Sequence, residues 1–391
     1  MSRRAVAQGF ILLMLSSVFN SYGQSGSGEL NAIVTVVPFL TIAPDSRAGG
    51  MGDAGVATSP DVFSMHWNPA KFAFIDGKGG IGLSYSPWLR SLVPDINIAL
   101  LSGYSRIDKK QVVSSSLLYS SLGDVPFTDE FGNLERTFTP NEFAFDLGYS
   151  RLFSENLSGG IAFRFIYSNL TGGSYSGGIA TKPGISFAAD ISGYYTKDIN
   201  ILDKDGNVAA GINFSNIGSK MSYSDSQTSD FIPINMRIGG SVTVHLDSYN
   251  SITASLDLNK LMVPTPPVYM ANTDSIIAGK DPDVSVPVAI FQSFVDAPGG
   301  FREEMHEITT SAGLEYWYNN IFAIRGGYFR EHETKGNRKY FTAGAGFRLN
   351  AFTLDFSYLM PLVQNHPLAR TLRFSLEFDI NALRNAGRSK G

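Results

Sequence analysis

The amino-acid sequence predicts an all-β fold: a fourteen-stranded antiparallel barrel that spans a bacterial outer membrane. Three observations predict it. They are an export signal at the N-terminus, a composition poor in charge and rich in glycine and aromatics, and an alternation of apolar and polar side chains from residue 80 onward. Such alternation is typical of membrane barrels, because successive strand side chains face lipid and lumen in turn.

The export signal occupies the first residues of the chain. Arg3 and Arg4 precede an apolar run over residues 10–19, and Ser21-Tyr22-Gly23 follows, small at the two positions that a signal peptidase reads. This run is too short to cross ~30 Å of hydrocarbon, so we interpret residues 1–23 as a signal peptide cleaved near Gly23, not as a membrane helix. The alternative is an ordinary buried helix.

The composition excludes several classes of protein. Charged residues make up only 17% of the chain, against roughly 25% in soluble proteins. The formal net charge of -4 offers no basic stripe to neutralise phosphates, so nucleic-acid binding is not expected. The chain has no cysteine, which rules out disulfides, thiolate metal sites, a cysteine nucleophile and a lipid-modified N-terminal cysteine.

A two-residue period of hydrophobicity marks the predicted strands. In residues 372–380 every second side chain is leucine, phenylalanine or isoleucine, and the side chains between them are polar or charged. Each segment therefore has one apolar and one polar face, and most have near the ~9–11 residues that a tilted strand needs to cross hydrocarbon. The segments are 80–86, 95–105, 111–123, 142–151, 156–169, 184–196, 207–216, 233–245, 250–259, 307–317, 321–330, 339–349, 352–358 and 371–380.

Connection lengths indicate that the apolar face points to lipid. An outer-membrane barrel alternates short periplasmic turns with long extracellular loops, whereas a soluble sandwich has no reason to alternate short and long connections. One connection on the short side, Lys197–Gly206, is longer, and we place its hairpin turn at Asp205-Gly206. The short turns are 106–110, 152–155, 246–249, 318–320 and 350–351, and the long connections are 124–141, 170–183, 217–232 and 260–306.

The lumen of such a barrel needs a plug. A fourteen-stranded barrel is too wide to be filled by its own strand side chains. Residues 24–79 lack the strand alternation and are rich in glycine and alanine, which allow close packing. We expect them to form an N-terminal hatch, followed by the barrel over residues 80–380 and a short tail over residues 381–391.

Two motifs in the hatch carry a family resemblance. The chain reads Ala-Pro-Asp-Ser-Arg-Ala-Gly-Gly-Met-Gly-Asp over residues 43–53 and His-Trp-Asn-Pro-Ala-Lys over residues 66–71. A small-residue stretch followed by Asn-Pro-Ala resembles the FadL family of fourteen-stranded outer-membrane barrels, whose hatch lies inside the barrel. Both motifs together resemble more closely the PorV family of the Bacteroidota type IX secretion system. The motif residues are Pro44, Asp45, Arg47, Gly49, Gly50, Gly52, Asp53, Asp61, His66, Trp67, Asn68, Pro69 and Ala70.

The resemblance implies a non-enzymatic role in protein secretion. PorV-like proteins accompany the translocon barrel, bind the C-terminal β-domain of exported cargo, and deliver the cargo to a sortase-like surface complex that joins it to lipopolysaccharide. We therefore expect an outer-membrane protein whose partners are the type IX translocon, its cargo, the attachment complex, and membrane lipid with lipopolysaccharide. Two alternatives stay open: a FadL-like channel for hydrophobic small molecules, and an outer-membrane hydrolase acting on lipopolysaccharide.

Charged residues of the hatch are candidates for a latch. Arg47, Asp53 and Asp61 stand among small residues and could pair with charges on the inner face of the strands; the alternative is that they are solvated in a wet lumen. Residues 50–55 fit the pattern G-x-G-x-x-G but lack the strand and helix that nucleotide binding requires. The inward-facing candidates are Arg164, Arg237, Arg325, Arg348, Arg373, Asp146, Asp190, Asp257, Glu315 and Glu377.

The long connection over residues 260–306 is the candidate surface for partners. It is far longer than an ordinary loop and unusually apolar, and exposed apolar segments mark interaction sites. We expect it, with residues 124–141, to dock the translocon or cargo; the alternative is a lid packed on its own barrel. The candidate contact residues are Phe127, Phe131, Tyr269, Met270, Ile290, Phe291, Phe294 and Phe301.

No cofactor, metal or catalytic site is expected. The five histidines, His66, His245, His306, His332 and His366, lack the i, i+4 spacing of a zinc-binding helix. No Gly-x-Ser-x-Gly nucleophile elbow occurs. The sequence therefore gives no evidence for catalysis.

Overall fold

A computed structural model describes residues 30–380, apart from residues 91–92, 94, 129–130, 132, 174, 177–178, 225–228 and 364–366. The predicted signal peptide (1–23), the start of the predicted hatch (24–29) and the predicted tail (381–391) lie outside the described residues. His366 lies outside them as well. The described residues from Asn31 onward belong to one compact unit.

Fourteen strands in the described part of the chain form a closed antiparallel barrel, which confirms the predicted fold class. The first strand pairs with the last, so the barrel has no free edge. Closure matters because an open strand edge in lipid would leave backbone groups unpaired, at several kcal/mol each. The barrel strands are β1 (Gly79–Pro87), β2 (Ile96–Arg106), β3 (Gln111–Leu122), β6 (Asn141–Leu152), β7 (Leu157–Asn169), β10 (Gly184–Ile201), β11 (Lys204–Gly218), β12 (Asn235–His245), β13 (Asn250–Leu261), β16 (Thr309–Tyr318), β17 (Phe322–Arg330), β18 (Lys339–Leu349), β19 (Phe352–Pro361) and β20 (Leu372–Asp379).

The long connections carry further short elements. Two-stranded hairpins pair β4 (Val125–Thr128) with β5 (Leu134–Phe138), β8 (Tyr175–Ser176) with β9 (Ile179–Ala180), and β14 (Val268–Tyr269) with β15 (Ile276–Ala278). Two helices, Val286–Gln292 and Phe301–His306, follow in the connection over residues 262–308. The helices in the described part of the chain are all too short or too polar to be membrane spans.

Short and long connections alternate strictly along the barrel, which gives it a turn end and a loop end. The β10–β11 connection departs from the prediction. The sequence predicts the turn at Asp205-Gly206, but β10 runs to Ile201 and β11 begins at Lys204. The turn residues are Leu202 and Asp203, both with positive φ (51° and 62°), as a tight two-residue hairpin turn requires.

The two faces of the barrel have opposite chemistry. Phe163 and Phe187 are about two-thirds exposed, whereas Arg164 and Asp190 on the same strands are buried. Apolar side chains therefore cover the outside and polar side chains line the lumen, the reverse of a soluble protein. This distribution fits strands in contact with acyl chains.

Residues 31–78, here called the lumenal segment, run inside the barrel from the loop end to the turn end. The Asn31 N–H donates to Thr334 O in a long connection, and Lys78 O accepts from the Arg106 N–H at the turn end. Between these points lie 3-10 turns at Pro38–Thr41 and Pro69–Phe74 and the helices α1 (Ser46–Gly50) and α2 (Ser64–Trp67). The later helices are α3 (Val286–Gln292) and α4 (Phe301–His306).

The main hydrophobic core lies between the lumenal segment and the barrel wall. Phe39, Leu40 and Phe63 of the segment pack in one cluster with Leu100 and Ile166 of the strands. A barrel whose inner face is otherwise polar thus gains a packed interior from a non-strand segment. This packing fixes the position of the charged residues described next.

Candidate functional site

Arg47 anchors the lumenal segment to the barrel wall. Its Nε and Nη2 donate to the two carboxylate oxygens of Glu315 on β16, at 3.0 and 2.9 Å. Its Nη1 lies 3.1 Å from Asp61 Oδ2, and its Nη2 donates to Ser59 Oγ at 2.7 Å. The fork of the guanidinium matches a carboxylate at two points, which makes this contact both strong and directional.

The same network continues around the wall. Arg325 on β17 lies 2.7 Å from Glu315 Oε2 and 2.5 Å from Asp355 Oδ1 on β19. Arg47 and all three wall residues are buried. Buried ion pairs add little net stability, but loss of one partner typically costs about 3–5 kcal/mol, since a charge is then left unpaired.

Most of the remaining predicted latch residues fall into two groups. Asp53 contacts the wall through Arg373 (3.4 Å) and through the hydroxyl of Tyr340, which donates to Asp53 Oδ2 at 2.6 Å. Asp257 accepts the N–H groups of Gly55 and Val56. The other group consists of wall residues that contact one another instead, with Arg164 on β7 pairing Asp146 (2.6 Å) and Asp190 (3.3 Å). Arg237, Arg348 and Glu377 form none of the ion pairs seen among the described residues.

Asp45 connects the two sequence motifs. Its Oδ2 accepts the N–H of Ala48 and caps α1, and its Oδ1 accepts the indole N–H of Trp67 at 2.6 Å. Trp67 lies 22 residues further along the chain. The two motifs are therefore halves of one packed unit.

Asn68 holds the second motif in place. Its Oδ1 accepts the N–H of Ala70, and its Nδ2 donates to Val56 O and to Gly193 O on β10, both at 3.0 Å. Pro69 begins the 3-10 turn, where a missing N–H costs nothing. The Asn-Pro-Ala sequence is thus explained by a cap that also contacts the wall.

The glycines of the first motif mark a close approach of two backbones. Gly52 has φ +70°, and a Cβ there would lie 2.5 Å from Tyr328 N. A Cβ at Gly50 would lie 3.2 Å from Gly344 Cα, and one at Gly49 would lie 2.5 Å from Arg373 Nη1. Residues 50–55 begin at the last residue of α1 and pack on strands, so they lack the strand–turn–helix arrangement of a nucleotide-binding loop.

Two cavities lie on opposite sides of the lumenal segment. The loop-end cavity, of about 440 Å³, is bounded by Ala43, Asp53 and Trp67 of the segment and opens toward the long connections. The turn-end cavity, of about 570 Å³, is bounded by Arg47 and Asp61 and opens at the other end. The segment separates the two.

Ion pairs tie the longest connection to the barrel rim. Lys260 at the end of β13 lies 3.0 Å from Glu304 and 2.5 Å from Glu307. Lys335 in the connection 331–338 lies 2.6 Å from Glu303 and 3.0 Å from Glu307. The loop carrying α3 and α4 is therefore held at several points.

Histidines join the same two connections. The rings of His306 and His332 stack with centroids 3.5 Å apart and planes 7° apart. Burial lowers the pKa of both rings, further lowered for His306 by Arg302 and for His332 by His306. Burial raises the pKa of Asp296, in the same connection as His306, to about 6. No cluster of three or more potential metal ligands occurs among the described residues.

The predicted partner residues are mostly exposed. Phe131, Phe291 and Phe301 are 88%, 78% and 79% exposed, and Tyr269, Met270 and Phe294 are also exposed. Phe127 lies under the guanidinium of Arg136, and Ile290 packs against the core. Ile290 thus packs as the lid alternative expects, whereas the exposed residues of the set present their side chains to solvent. We call the exposed set Tyr269, Met270, Phe291, Val295 and Phe301 the apolar loop surface; Val295, 63% exposed, is not among the contact residues predicted from the sequence.

A closed barrel with an apolar outside, a polar lumen and an internal segment defines an outer-membrane β-barrel protein. The family model described as Type IX secretion system protein PorV matches residues 25–268, more than half of the chain. The chain therefore belongs to the PorV family, and the resemblance seen in the motifs is confirmed. This membership makes the protein an outer-membrane component of type IX secretion.

Comparisons with other known proteins are more distant. No curated protein matches the chain. The toluene transporter TodX of Pseudomonas putida has 11% identity and a TM-score of 0.45, over 90% of this chain and 98% of that one. A FadL homologue of Pseudomonas aeruginosa has 11% identity and a TM-score of 0.42, over 90% and 99%. These values are too low for an argument about function.

Proposed function

We propose that this barrel binds the C-terminal domain of exported cargo and passes the cargo from the type IX translocon to the sortase-like attachment complex at the cell surface. Membership of the PorV family supports a place in this system. The observation that carries cargo capture is the apolar loop surface, exposed at the loop end of the barrel. The role is non-enzymatic.

The apolar loop surface has properties that favour binding. Exposed aromatic side chains are the usual energetic centres of protein interfaces. The ion pairs of Lys260 and Lys335 hold the loop before any partner arrives, and preorganisation lowers the ordering cost of association. The loop end would face the cell exterior, since long loops of such barrels are extracellular.

The lumenal segment supports a shuttle and argues against an open pore. In this proposal the signal peptide over residues 1–23 is removed, residues 24–79 form a hatch, residues 80–380 form the barrel, and residues 381–391 form a tail. The Arg47 network and the Asp53 contacts latch the hatch to the wall. A latched hatch keeps the membrane sealed while cargo is handled outside.

A FadL-like channel for hydrophobic small molecules is the second candidate. The apolar wall of the loop-end cavity, which includes Trp88, Leu261 and Phe329, favours it. Passage to the turn end would require the lumenal segment to move, because the segment separates the two cavities.

A deletion strain separates the candidates. The secretion proposal expects loss of surface-attached cargo and its accumulation in the periplasm, with uptake of hydrophobic compounds unchanged. The channel proposal expects the reverse. Normal secretion without this protein rejects the proposed function, and altered lipid A acylation with normal secretion would instead favour the hydrolase alternative.

A further inference from the structure

Arg237 is a buried cation at the loop-end cavity. Its side chain lines the cavity, yet the residue is only 7% exposed. Its Nε donates to Asn259 Oδ1 at 2.6 Å, its Nη1 donates to His66 O at 3.4 Å, and its guanidinium lies 4.6 Å from the Trp67 ring centroid. A guanidinium has five N–H donors, so most of its donors are unused by the described residues.

The acidic residues that line this cavity each form an ion pair with a cation other than Arg237. Asp257 on the neighbouring strand accepts backbone N–H groups of Gly55 and Val56 and forms no ion pair with Arg237 among the described residues. A buried charge without a counter-ion is costly. Arg237 therefore has no ion-pair partner among the described residues and keeps donors that a carboxylate could fill. The satisfied pairs are Asp53 with Arg373, Glu307 with Lys260 and Lys335, and Glu331 with Arg338.

The other residues that line the cavity indicate what the ligand carries besides a carboxylate. Ile33, Ile42, Trp88, Leu261 and Phe329 give the cavity an apolar side. Its volume, about 440 Å³, is within the range of ligand sites. Polar groups also face it: the amides of Asn235 and Asn259, and Ser311, whose buried Oγ has no hydrogen-bond partner among the described residues.

We propose that this cavity binds the C-terminal carboxylate and the last apolar residues of an exported polypeptide, with Arg237 as the carboxylate receptor. The inference rests on the proposed function and adds a subsite to it. Capture of a chain-terminal carboxylate is a recurring mode of peptide recognition. A fatty-acid-like amphiphile shares the carboxylate and the apolar body. It would, however, leave Asn235 and Ser311 facing an alkyl chain, whereas a peptide backbone can pair with them.

The test compares two peptides on the full-length protein in lipid nanodiscs. Both copy the C-terminus of an exported protein whose secretion requires this chain; one ends in a free carboxylate and the other in an amide. Wild type should bind the acid at least about tenfold more tightly than the amide, as expected for a charge-assisted contact. Arg237→Gln should bind both equally. Arg348→Gln removes an exposed arginine that lines the turn-end cavity instead and should keep the preference.

Several outcomes overturn the inference. They are equal binding of acid and amide by wild type, no measurable binding of the acid, or an unchanged preference in Arg237→Gln. The same measurement with dodecanoate tests the fatty-acid-like ligand. If dodecanoate binding depends on Arg237 and peptide binding does not, the cavity is a site for small amphiphiles and the polypeptide ligand is rejected. Normal secretion in the deletion strain rejects the proposed function, whereas lost secretion with an unchanged acid preference in Arg237→Gln rejects only this subsite. Folding of the Arg237→Gln barrel is checked by gel electrophoresis before and after heating, because a folded barrel migrates differently from the unfolded chain. Arg237→Lys is the second variant and retains the positive charge.

Discussion

Arg47 in the lumenal segment and Glu315 on β16 meet through two hydrogen bonds of 2.9 and 3.0 Å, although 268 residues separate them in the chain. The contact joins a segment without strand structure to the wall of a barrel. Glu315, on the inner face of β16, thereby holds the lumenal segment in place. The position of the lumenal segment is thus set by buried charge as well as by apolar packing.

Loss of the Arg47 anchor should destabilise the barrel. Arg47→Met leaves Asp61 with no ion-pair partner seen among the described residues and Glu315 with only Arg325, so we expect a loss of about 3 kcal/mol in the free energy of unfolding. Urea unfolding of the barrel in lipid vesicles measures it. Arg348→Met removes an exposed arginine and should cost less than about 1 kcal/mol. Equal losses in the two variants would contradict the anchor.

Gly52 should tolerate no side chain. Gly52→Ala adds a Cβ 2.5 Å from Tyr328 N at a φ of +70°, and the left-handed conformation alone costs about 1–2 kcal/mol. Gly173 is the matched control, because it has φ +73° and a Cβ there would meet only open space. Gly173→Ala should show only the conformational cost in urea unfolding. If both variants lose the same stability, the close approach of the lumenal segment to β17 is not tight.

Much of the fold could be predicted because a strand between lipid and a polar lumen must alternate apolar and polar side chains. The alternation of Leu372, Phe374 and Leu376 with polar neighbours defines β20 without any tertiary information. The predicted Asp205-Gly206 turn is wrong because its local signal is overridden: pairing of Ile201 with Lys204 continues the ladder past it. Local turn preference is weaker than extended strand pairing.

The pairing of charges is harder to predict than their inward direction. Alternation places Arg164 and Arg325 on the inner face, but it does not say whether a partner comes from the neighbouring strand or from the lumenal segment. Arg164 pairs across strands with Asp146. The Asp45–Trp67 bond joins two positions in an irregular segment, where no period relates one residue to the other.

Acid should loosen the longest connection. The pKa values of His306 and His332 are lowered in the folded state, so the unfolded or detached loop binds more protons. The resulting stability is present above the ordinary histidine pKa of about 6.5 and is lost as the pH falls below it. Hydrogen exchange of α4, corrected for intrinsic rates, should therefore accelerate between about pH 7 and about pH 5.

A histidine variant isolates this effect. His332→Gln removes one titrating ring and should weaken the pH dependence of exchange in α4. Asp296, with its pKa raised to about 6, acts in the opposite sense, because its protonated form favours the folded state. Both proteins in the comparison keep Asp296, so its contribution cancels. The same acid-induced acceleration in wild type and His332→Gln would reject the histidine stack as the cause.

Polar substitution of the apolar loop surface should remove binding and preserve the barrel. Phe291, Val295 and Phe301 are 78%, 63% and 79% exposed, so the triple change to serine should alter the free energy of unfolding by less than about 1 kcal/mol. Phe153 and Leu202, 67% and 68% exposed at the turn end, provide the matched control when changed to serine. Urea unfolding of both variants establishes that each barrel is intact.

Gentle extraction of the tagged protein from outer membranes, with identification of everything retained, tests cargo capture at the loop end most directly. We expect wild type and the Phe153/Leu202 control to retain the translocon barrel and exported proteins with C-terminal β-domains. The Phe291/Val295/Phe301 variant should lose the exported proteins. Recovery of the same partners by the loop variant, or of no secretion component by wild type, would contradict the account.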